Sequence, residues 1–280
     1  MKRFAFISLL ILEGCSMAVP EEADPQVLLA FQPVVCPMTK EAEHSEFTVG
    51  VSAWTLAEGE SWEYEAPGQV YLSNSRVIPG QEDLWYLEDM GSWPSREERL
   101  SVIGYAPFEA ASGCDAEFGV RFEDVNVLEL DTALFYTEPQ TDLIKTSSGG
   151  VVPLPMQQAL CQMDFKVRTR VSAEEKITVR KITLDDACYT GDFRSLPDPQ
   201  WKVSGMVSDV EFYQEKPRLM IPQCLNSPVT VEFEYTNPAG LSITQSLKTS
   251  LIEKELYPGM HYTYILSVGM DEVKFLLEIL

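Results

Sequence analysis

Apolar and polar residues alternate with a period of two along most of the chain from residue 25 onward. The clearest runs lie at residues 47–53, 118–122, 163–168, 229–235, 262–268 and 273–279. This period places alternate side chains on opposite faces of a strand, so each run has one apolar and one wetter face. No segment keeps a helical period. Short strands separated by Gly and Pro therefore predict an all-β fold made of β-sandwiches.

A run of small residues divides the alternating segments near the middle of the chain. Residues 146–150 read Thr-Ser-Ser-Gly-Gly, a composition typical of a flexible linker. The sequence therefore predicts two tandem β-sandwich domains, at residues 25–145 and 151–280, each of a plausible size for one sandwich. Residues 15–24 are expected to form a tether before the first strand.

Local details of the pattern give finer expectations. The apolar phase slips between Val179 and Ile182, which predicts a β-bulge. Cys161 shares its phase with Met163 and Phe165, so all three are expected in a core.

Prolines, glycines and large aromatic residues are expected to serve the fold. Proline favours strand ends because it lacks an amide donor, glycine suits turns with positive φ, and large aromatic side chains anchor small cores. The residues interpreted in this way are Pro107, Pro222 and Pro258 at strand ends, Gly191 and Gly259 in turns, and Trp54, Trp85, Trp93, Tyr105 and Tyr262 in the cores.

Composition and charge narrow the classes of function. The 280 residues include 21 Lys and Arg against 43 Asp and Glu, a net charge of −22. Nucleic-acid binding needs clustered positive charge, so no nucleic-acid partner is expected, and attachment to anionic lipid through basic residues is excluded for the same reason. Hydrophobic residues make up 45% of the chain, which indicates a globular protein.

The first fifteen residues are interpreted as a leader. A basic Met1-Lys2-Arg3 precedes an apolar stretch too short to span a bilayer as a helix. Leu12-Glu13-Gly14-Cys15 resembles the lipobox of a bacterial lipoprotein signal peptide. Residues 1–14 are then removed, and Cys15 carries diacylglycerol and palmitate, whose acyl chains give durable membrane attachment. An ordinary secretory signal with an accidental cysteine is the alternative.

Five further cysteines follow the leader, and none forms a CxxC pair, so no metal site is expected. They are Cys36, Cys114, Cys161, Cys188 and Cys224. An exported protein permits disulfides, and the sequence leaves the pairing open. Scattered buried thiols are the favoured interpretation.

Seven patches with recognisable motifs follow one another along the mature chain. They lie at residues 47–54, 85–107, 140–143, 152–167, 182–193, 219–223 and 257–264. In this order they resemble the fimbrillin family, the type V pilins of Bacteroidales; Leu219-Met220-Ile221-Pro222-Gln223 and Tyr257-Pro258-Gly259 are two examples. The resemblance implies two transthyretin-like, Greek-key β-sandwich domains and a non-enzymatic role with no catalytic residue, cofactor or metal.

The resemblance also implies a way of assembling. A sandwich that lacks one strand has an unpaired edge and an apolar groove, which a strand of another chain can fill. In this family a surface protease removes the first strand of a lipoprotein, and the next subunit fills the groove. The implied partners are other fimbrial subunits through strand exchange, the cell outer membrane through the lipid anchor, and a host or bacterial surface ligand. The implied location is a surface-exposed, lipid-anchored fimbrium.

Alternating apolar residues directly after the tether are similar to the strand that such pilins lose. These residues are Val27, Leu29, Phe31 and Val35, with Pro33 among them. The following Thr39-Lys40-Glu41-Ala42 stands where the family commonly has T-R-A, so Lys40 is the candidate site of proteolytic processing. An arginine-specific protease would not cut at lysine. Without cleavage, the chain would act as an anchor or an accessory protein.

Two other functions are left open by the sequence. One is a surface lipoprotein outside a pilus that binds a glycan or another host ligand, for which a shallow platform of aromatic side chains would be the sign. The other is a hydrolase with paired carboxylates, although no motif selects two of the 43 acidic residues.

Overall fold

The computed structural model describes residues 27–35, 48–95, 98–145, 149–213, 216–249 and 252–279. The predicted signal peptide 1–14, the tether 15–24 and the candidate residues Cys15 and Lys40 lie outside the described residues, as does Cys36. Within the described part of the chain, no helix combines the length and apolar composition needed to cross a bilayer.

Strands account for most of the structure, and a single-turn 3-10 helix covers Phe108–Ala110. The strands are β1 Ala30–Val35, β2 Val49–Leu56, β3 Gln69–Pro79, β4 Trp85–Leu87, β5 Arg99–Ala106, β6 Gly113–Asp115, β7 Gly119–Asn126, β8 Phe135–Tyr136, β9 Gln140–Leu143, β10 Val151–Gln158, β11 Cys161–Thr169, β12 Lys176–Cys188, β13 Thr190–Arg194, β14 Gln200–Val203, β15 Val207–Phe212, β16 Arg218–Met220, β17 Cys224–Ser227, β18 Val229–Thr236, β19 Ser242–Lys248, β20 Ile252–Glu255, β21 His261–Val268 and β22 Val273–Ile279.

The first large sheet closes on itself. Its strand order is β2-β3-β4-β1-β10-β8-β5-β9, and β2 also pairs with β5. The inward faces of this ring form one apolar core. The buried core residues are Leu29, Phe31, Val49, Val51, Ala53, Val77, Leu87, Trp93, Leu100, Val102, Ala106, Phe135, Val152, Leu154 and Met156.

Two four-stranded sheets make up most of the second half of the chain. Their orders are β16-β11-β21-β22 and β15-β12-β18-β19. A second core, built entirely from residues 161–273, fills the space between them. Phe165 of β11 meets Phe212 of β15 across this core, with ring centroids 4.8 Å apart. The predicted all-β fold of β-sandwiches is confirmed.

Two sheets contain strands from both sides of residues 146–150. Strand β10 belongs to the first ring, and the sheet β14-β13-β7-β6 joins two strands from each half. The small-residue segment therefore does not separate the sheets. The residues of the first core extend to Met156 and those of the second begin at Cys161, so the boundary between the two largest cores lies near residue 160. The alternation in β10 showed that one face would be buried. It gave no information about which strands β10 would pair with or pack against.

Most finer expectations are confirmed. The register of β12 against β18 shifts between Val179 and Lys181, which is the predicted bulge. Cys161, Met163 and Phe165 are fully buried, four of the five aromatic anchors are buried, and Trp85 is half-buried. Pro107, Pro222 and Pro258 lie at or just beyond strand ends.

The two singled-out glycines are required for different reasons. Gly259 has a φ of 74°, as expected for its turn. Gly191 does not have a positive φ. It lies where a Cβ atom would come within 2.8 Å of the Lys202 carbonyl oxygen, so its requirement is close backbone approach.

Candidate functional site

Strand β1 lies inside the first sheet, between β4 and β10. It pairs in parallel with β10 over its whole length, from Ala30 opposite Val151 to Val35 opposite Met156. On its other side it pairs antiparallel with β4, but only through Ala30 and Phe31. The pairing with β4 ends before Pro33, so the missing amide of Pro33 falls where one flank of β1 has no strand partner.

The side chains of β1 and the residues just before it fill the first core on one face. Leu29 and Phe31 are fully buried, whereas Val34 on the opposite face is 51% exposed. Val27 and Val35 are half-buried against the same core. Burial of side chains of this size stabilises a fold by about 1.5–3 kcal/mol each. The alternation predicted from the sequence is therefore an inward face and an outward face.

A small set of hydrogen bonds fixes the start of this segment. The Trp93 amide donates to the Val27 carbonyl oxygen at 2.9 Å, and the Leu29 amide donates to Gly91 O at 3.1 Å. The Trp93 indole Nε1 donates to Gly150 O at 2.9 Å. Gly150 has a φ of +88°, and a Cβ atom there would lie 2.8 Å from Val27 Cγ1. Glycine is needed at position 150 for both reasons.

The chain path makes β1 separable from the rest of the sheet. After Val35 the chain passes through residues 36–47, which lie outside the described residues, and continues into β2. Strand β2 pairs with β3 and β5. A cut within residues 36–47 would leave β1 held by non-covalent contacts alone. Its departure would leave β10 unpaired on one flank and would open the core around Leu29 and Phe31.

Solved structures with this fold include three from Bacteroides species. A fimbrial protein from Bacteroides vulgatus has a TM-score of 0.67 and 13% identity, over 90% of this chain and 98% of that one. A candidate cell adhesion protein from Bacteroides uniformis has a TM-score of 0.60 and 11% identity, over 92% and 99% of the two chains. A second one, from Bacteroides ovatus, has a TM-score of 0.58 and 11% identity, over 91% and 98%.

The resemblance to fimbrial proteins of Bacteroidales that the motifs predicted is thus confirmed at the level of the fold. No protein-family model and no curated protein matches the sequence. The roles of Cys15, Lys40 and the four residues of the displaced strand are proposals developed below.

Sequence reasoning found the residues of β1 but missed what surrounds them. The closure of the ring by β10 and the contacts of Trp93 and Gly150 with Val27 come from distant parts of the chain. In the sequence, Trp93 is interpreted as a core anchor and Gly149-Gly150 as part of a linker, and neither interpretation predicts a contact with Val27. The pattern also gave no sign of a groove on the outer face of the sheet β14-β13-β7-β6, which is described below.

Proposed function

We propose that this protein is a non-enzymatic fimbrial subunit or fimbrial accessory protein at the bacterial surface, which assembles by β-strand donation and supports adhesion. The single observation that carries the proposal is the position of β1. It fills the core as an interior strand, yet a cut in residues 36–47 would free it from the chain. The fold shared with a fimbrial protein supports this proposal.

In this proposal Val27, Leu29, Phe31 and Val35 are the side chains that leave with the displaced strand. Their departure exposes a slot between β4 and β10 with an apolar floor. A strand from another subunit restores both the ladder with β10 and the burial of the core, because main-chain hydrogen bonds give affinity and alternate side chains set the register. Lys40 is the proposed processing site, since it follows β1 and precedes β2.

The membrane attachment is proposed to run through lipid on Cys15. Cys15→Ala should move the protein from the outer-membrane fraction to the soluble fraction, because no acyl chain remains to hold it. Fractionation and immunoblotting measure this. Membrane association that is unchanged in the variant would contradict the lipid anchor while leaving strand donation untouched.

Strand donation is tested with protein that begins at Glu41, compared with protein that begins at residue 16. Light scattering after size-exclusion chromatography should show oligomers that survive mild detergent only for the shorter protein. A synthetic peptide of residues 27–35 should suppress these oligomers by filling the slot. The same peptide with Phe31→Ala is the matched control and should suppress them poorly. A folded, monomeric shorter protein that ignores both peptides would overturn the role of β1.

A further inference from the structure

The outer face of the sheet β14-β13-β7-β6 carries a groove lined by charged side chains of both signs and by aromatic residues. We call it the arginine groove, and its volume is about 710 Å³. The residues used in the argument are Phe118, Arg121, Asp192, Arg194, Trp201 and Lys202. Three carboxylates, those of Glu123, Asp124 and Asp192, also line the groove, so its three cations are matched in number.

Two arginines lie directly opposite each other on this face. Arg194 of β13 pairs in register with Arg121 of β7, next to the buried pair of Phe193 and Phe122. Successive side chains of a strand project from opposite faces of the sheet, so both guanidinium groups project from the face opposite the Phe193 and Phe122 rings. Like charges directly opposite each other destabilise a sheet. A negatively charged group beside the two guanidinium groups would therefore stabilise this arrangement.

The two arginines differ in how their charge is balanced. Arg121 forms ion pairs with Asp115 at 3.1 Å and Glu123 at 3.6 Å. Arg194 forms no ion pair with any described carboxylate. The Gln200 amide lies beside it, and with the amide oxygen turned toward the guanidinium, Nη2 and Nε donate to that oxygen at 2.5 and 2.9 Å. A neutral amide holds the guanidinium in place but leaves its charge uncompensated. Arg194 is thus positioned to receive an anion.

The rest of the groove suits a sugar ring. The Phe118 ring, with Arg121 Cζ 5.9 Å from its centroid, gives an apolar wall. Trp201 pairs in register with Phe193 and packs against its ring, with centroids 5.3 Å apart, so it lies on the aromatic face of the sheet. Asp192 lies two residues from Arg194 on the same face, and its Oδ1 accepts the Asp124 amide at 3.0 Å. Its carboxylate has further capacity to accept hydroxyl groups.

We infer that the arginine groove binds a carboxylated sugar residue of a surface glycan. The sugar carboxylate pairs with Arg194 and Lys202, the ring packs on Phe118, and its hydroxyl groups donate to Asp192. Binding rests on non-covalent contacts alone. The inference goes beyond strand donation and does not depend on it, because the groove lies on β7, β13 and β14 and β1 contributes nothing to its lining.

The test titrates the full mature chain with trigalacturonate and, separately, with 3′-sialyllactose, by calorimetry in 0.15 M salt. At this ionic strength charges more than about 8 Å away are largely screened, so the overall negative charge of the protein interferes little. The methyl ester of trigalacturonate and lactose are the matched uncharged probes. We expect at least one acidic probe to bind about tenfold more tightly than its uncharged partner, because a charge-assisted hydrogen bond is lost in the latter.

Two variants locate the site, and one controls for charge. Arg194→Gln removes the guanidinium, and Gln200→Glu places a competing carboxylate beside it; each should weaken binding of the acidic probe about tenfold or more. Arg180→Gln removes an exposed arginine paired with Glu234 on another sheet and should leave binding unchanged. Circular dichroism checks the fold of each variant. Failure of both acidic probes to bind, equal binding of charged and uncharged probes, or equal loss in Arg180→Gln would overturn the proposal.

Discussion

Gly50 lies directly beneath the ring of Tyr105, and this contact fixes which residue position 50 accepts. A Cβ atom at position 50 would lie 2.2 Å from Tyr105 Cζ, far inside van der Waals contact. Tyr105 is fully buried and its hydroxyl donates to Asn74 Oδ1, so the ring has no free space to move into. We predict that Gly50→Ala lowers the free energy of unfolding by about 1–3 kcal/mol, as overpacked cores do.

Urea denaturation followed by tryptophan fluorescence measures this change. Gly269→Ala is the matched control, because the nearest atom to its Cβ would lie at 3.6 Å. It should shift the free energy of unfolding by no more than about 0.5 kcal/mol. Equal midpoints for the two variants would show that the Tyr105 ring yields easily.

Two cysteines of the second half are predicted to differ strongly in reactivity. The Cys161 thiol is fully buried and donates to Met220 O at 3.3 Å, and burial raises its pKa to about 12. At pH 8 only about one such thiol in ten thousand is ionised, and the thiolate is the reactive form. Cys224 is exposed. Native protein treated with iodoacetamide should carry the label on Cys224 long before Cys161.

Peptide mapping by mass spectrometry reads the two positions separately, and urea-unfolded protein is the control in which both should react.

The same raised pKa also predicts how the stability of the fold changes at alkaline pH. The folded state favours the protonated thiol, so its contribution to stability is present below the unfolded pKa of about 8.5 and is lost as pH rises toward 12. Rapid labelling of Cys161 in native protein would contradict this burial.

At the scale of the element, β1 gives a direct test within one strand. Phe31 is fully buried in the first core, whereas Val34 points outward and is 51% exposed. Phe31→Ala should lower the free energy of unfolding by about 3–5 kcal/mol, because it removes buried ring atoms and leaves a cavity. Val34→Ala should change it by about 0.5 kcal/mol at most. Chemical denaturation of both variants measures the two losses. Similar losses would contradict a strand with one buried face, and a larger loss for Val34→Ala would mean that the strand faces the other way.

The strands could be predicted from the sequence to different depths. A period of two in Leu29, Phe31 and Val35 reports burial of one face, and a phase slip at Val179 reports a bulge, because both are local properties. The neighbours of β1 are not local. Strands β4 and β10 come from distant parts of the chain, and side-chain alternation gives no information about which of many similar strands will pair.

The arginine groove shows the same limit at the level of a site. In the sequence Arg121 and Arg194 are ordinary basic residues, seventy-odd positions apart. Only the pairing of β7 with β13 places them opposite each other. The missing carboxylate beside Arg194 is likewise a property of the fold, because it depends on Gln200 lying across from it in β14. The processing site at Lys40 lies outside the described residues and stays a prediction, drawn from its place after an alternating segment and from the family resemblance.

At the scale of the whole molecule, a third apolar cluster connects the two main cores. It contains residues from both halves, among them Tyr105, Phe122 and Tyr136 from the first and Leu160, Phe193 and Ile221 from the second. Phe193 lies within this cluster, with ring centroids 5.8 Å from Phe122 and 5.1 Å from Tyr136. The two halves are therefore joined by buried aromatic packing as well as by a shared sheet.

This connection predicts that removal of the Phe193 ring destabilises both halves of the chain. Phe193→Ala should destabilise the protein by about 3–5 kcal/mol and raise amide hydrogen exchange in β5 of the first half and in β13 of the second. Phe165→Ala is the matched control, because Phe165 belongs to the core of residues 161–273. It should raise exchange in β11, β12 and β21 while β2 and β5 stay protected. If Phe193→Ala affected one half alone, the two halves would unfold independently, which would contradict the coupling through this cluster.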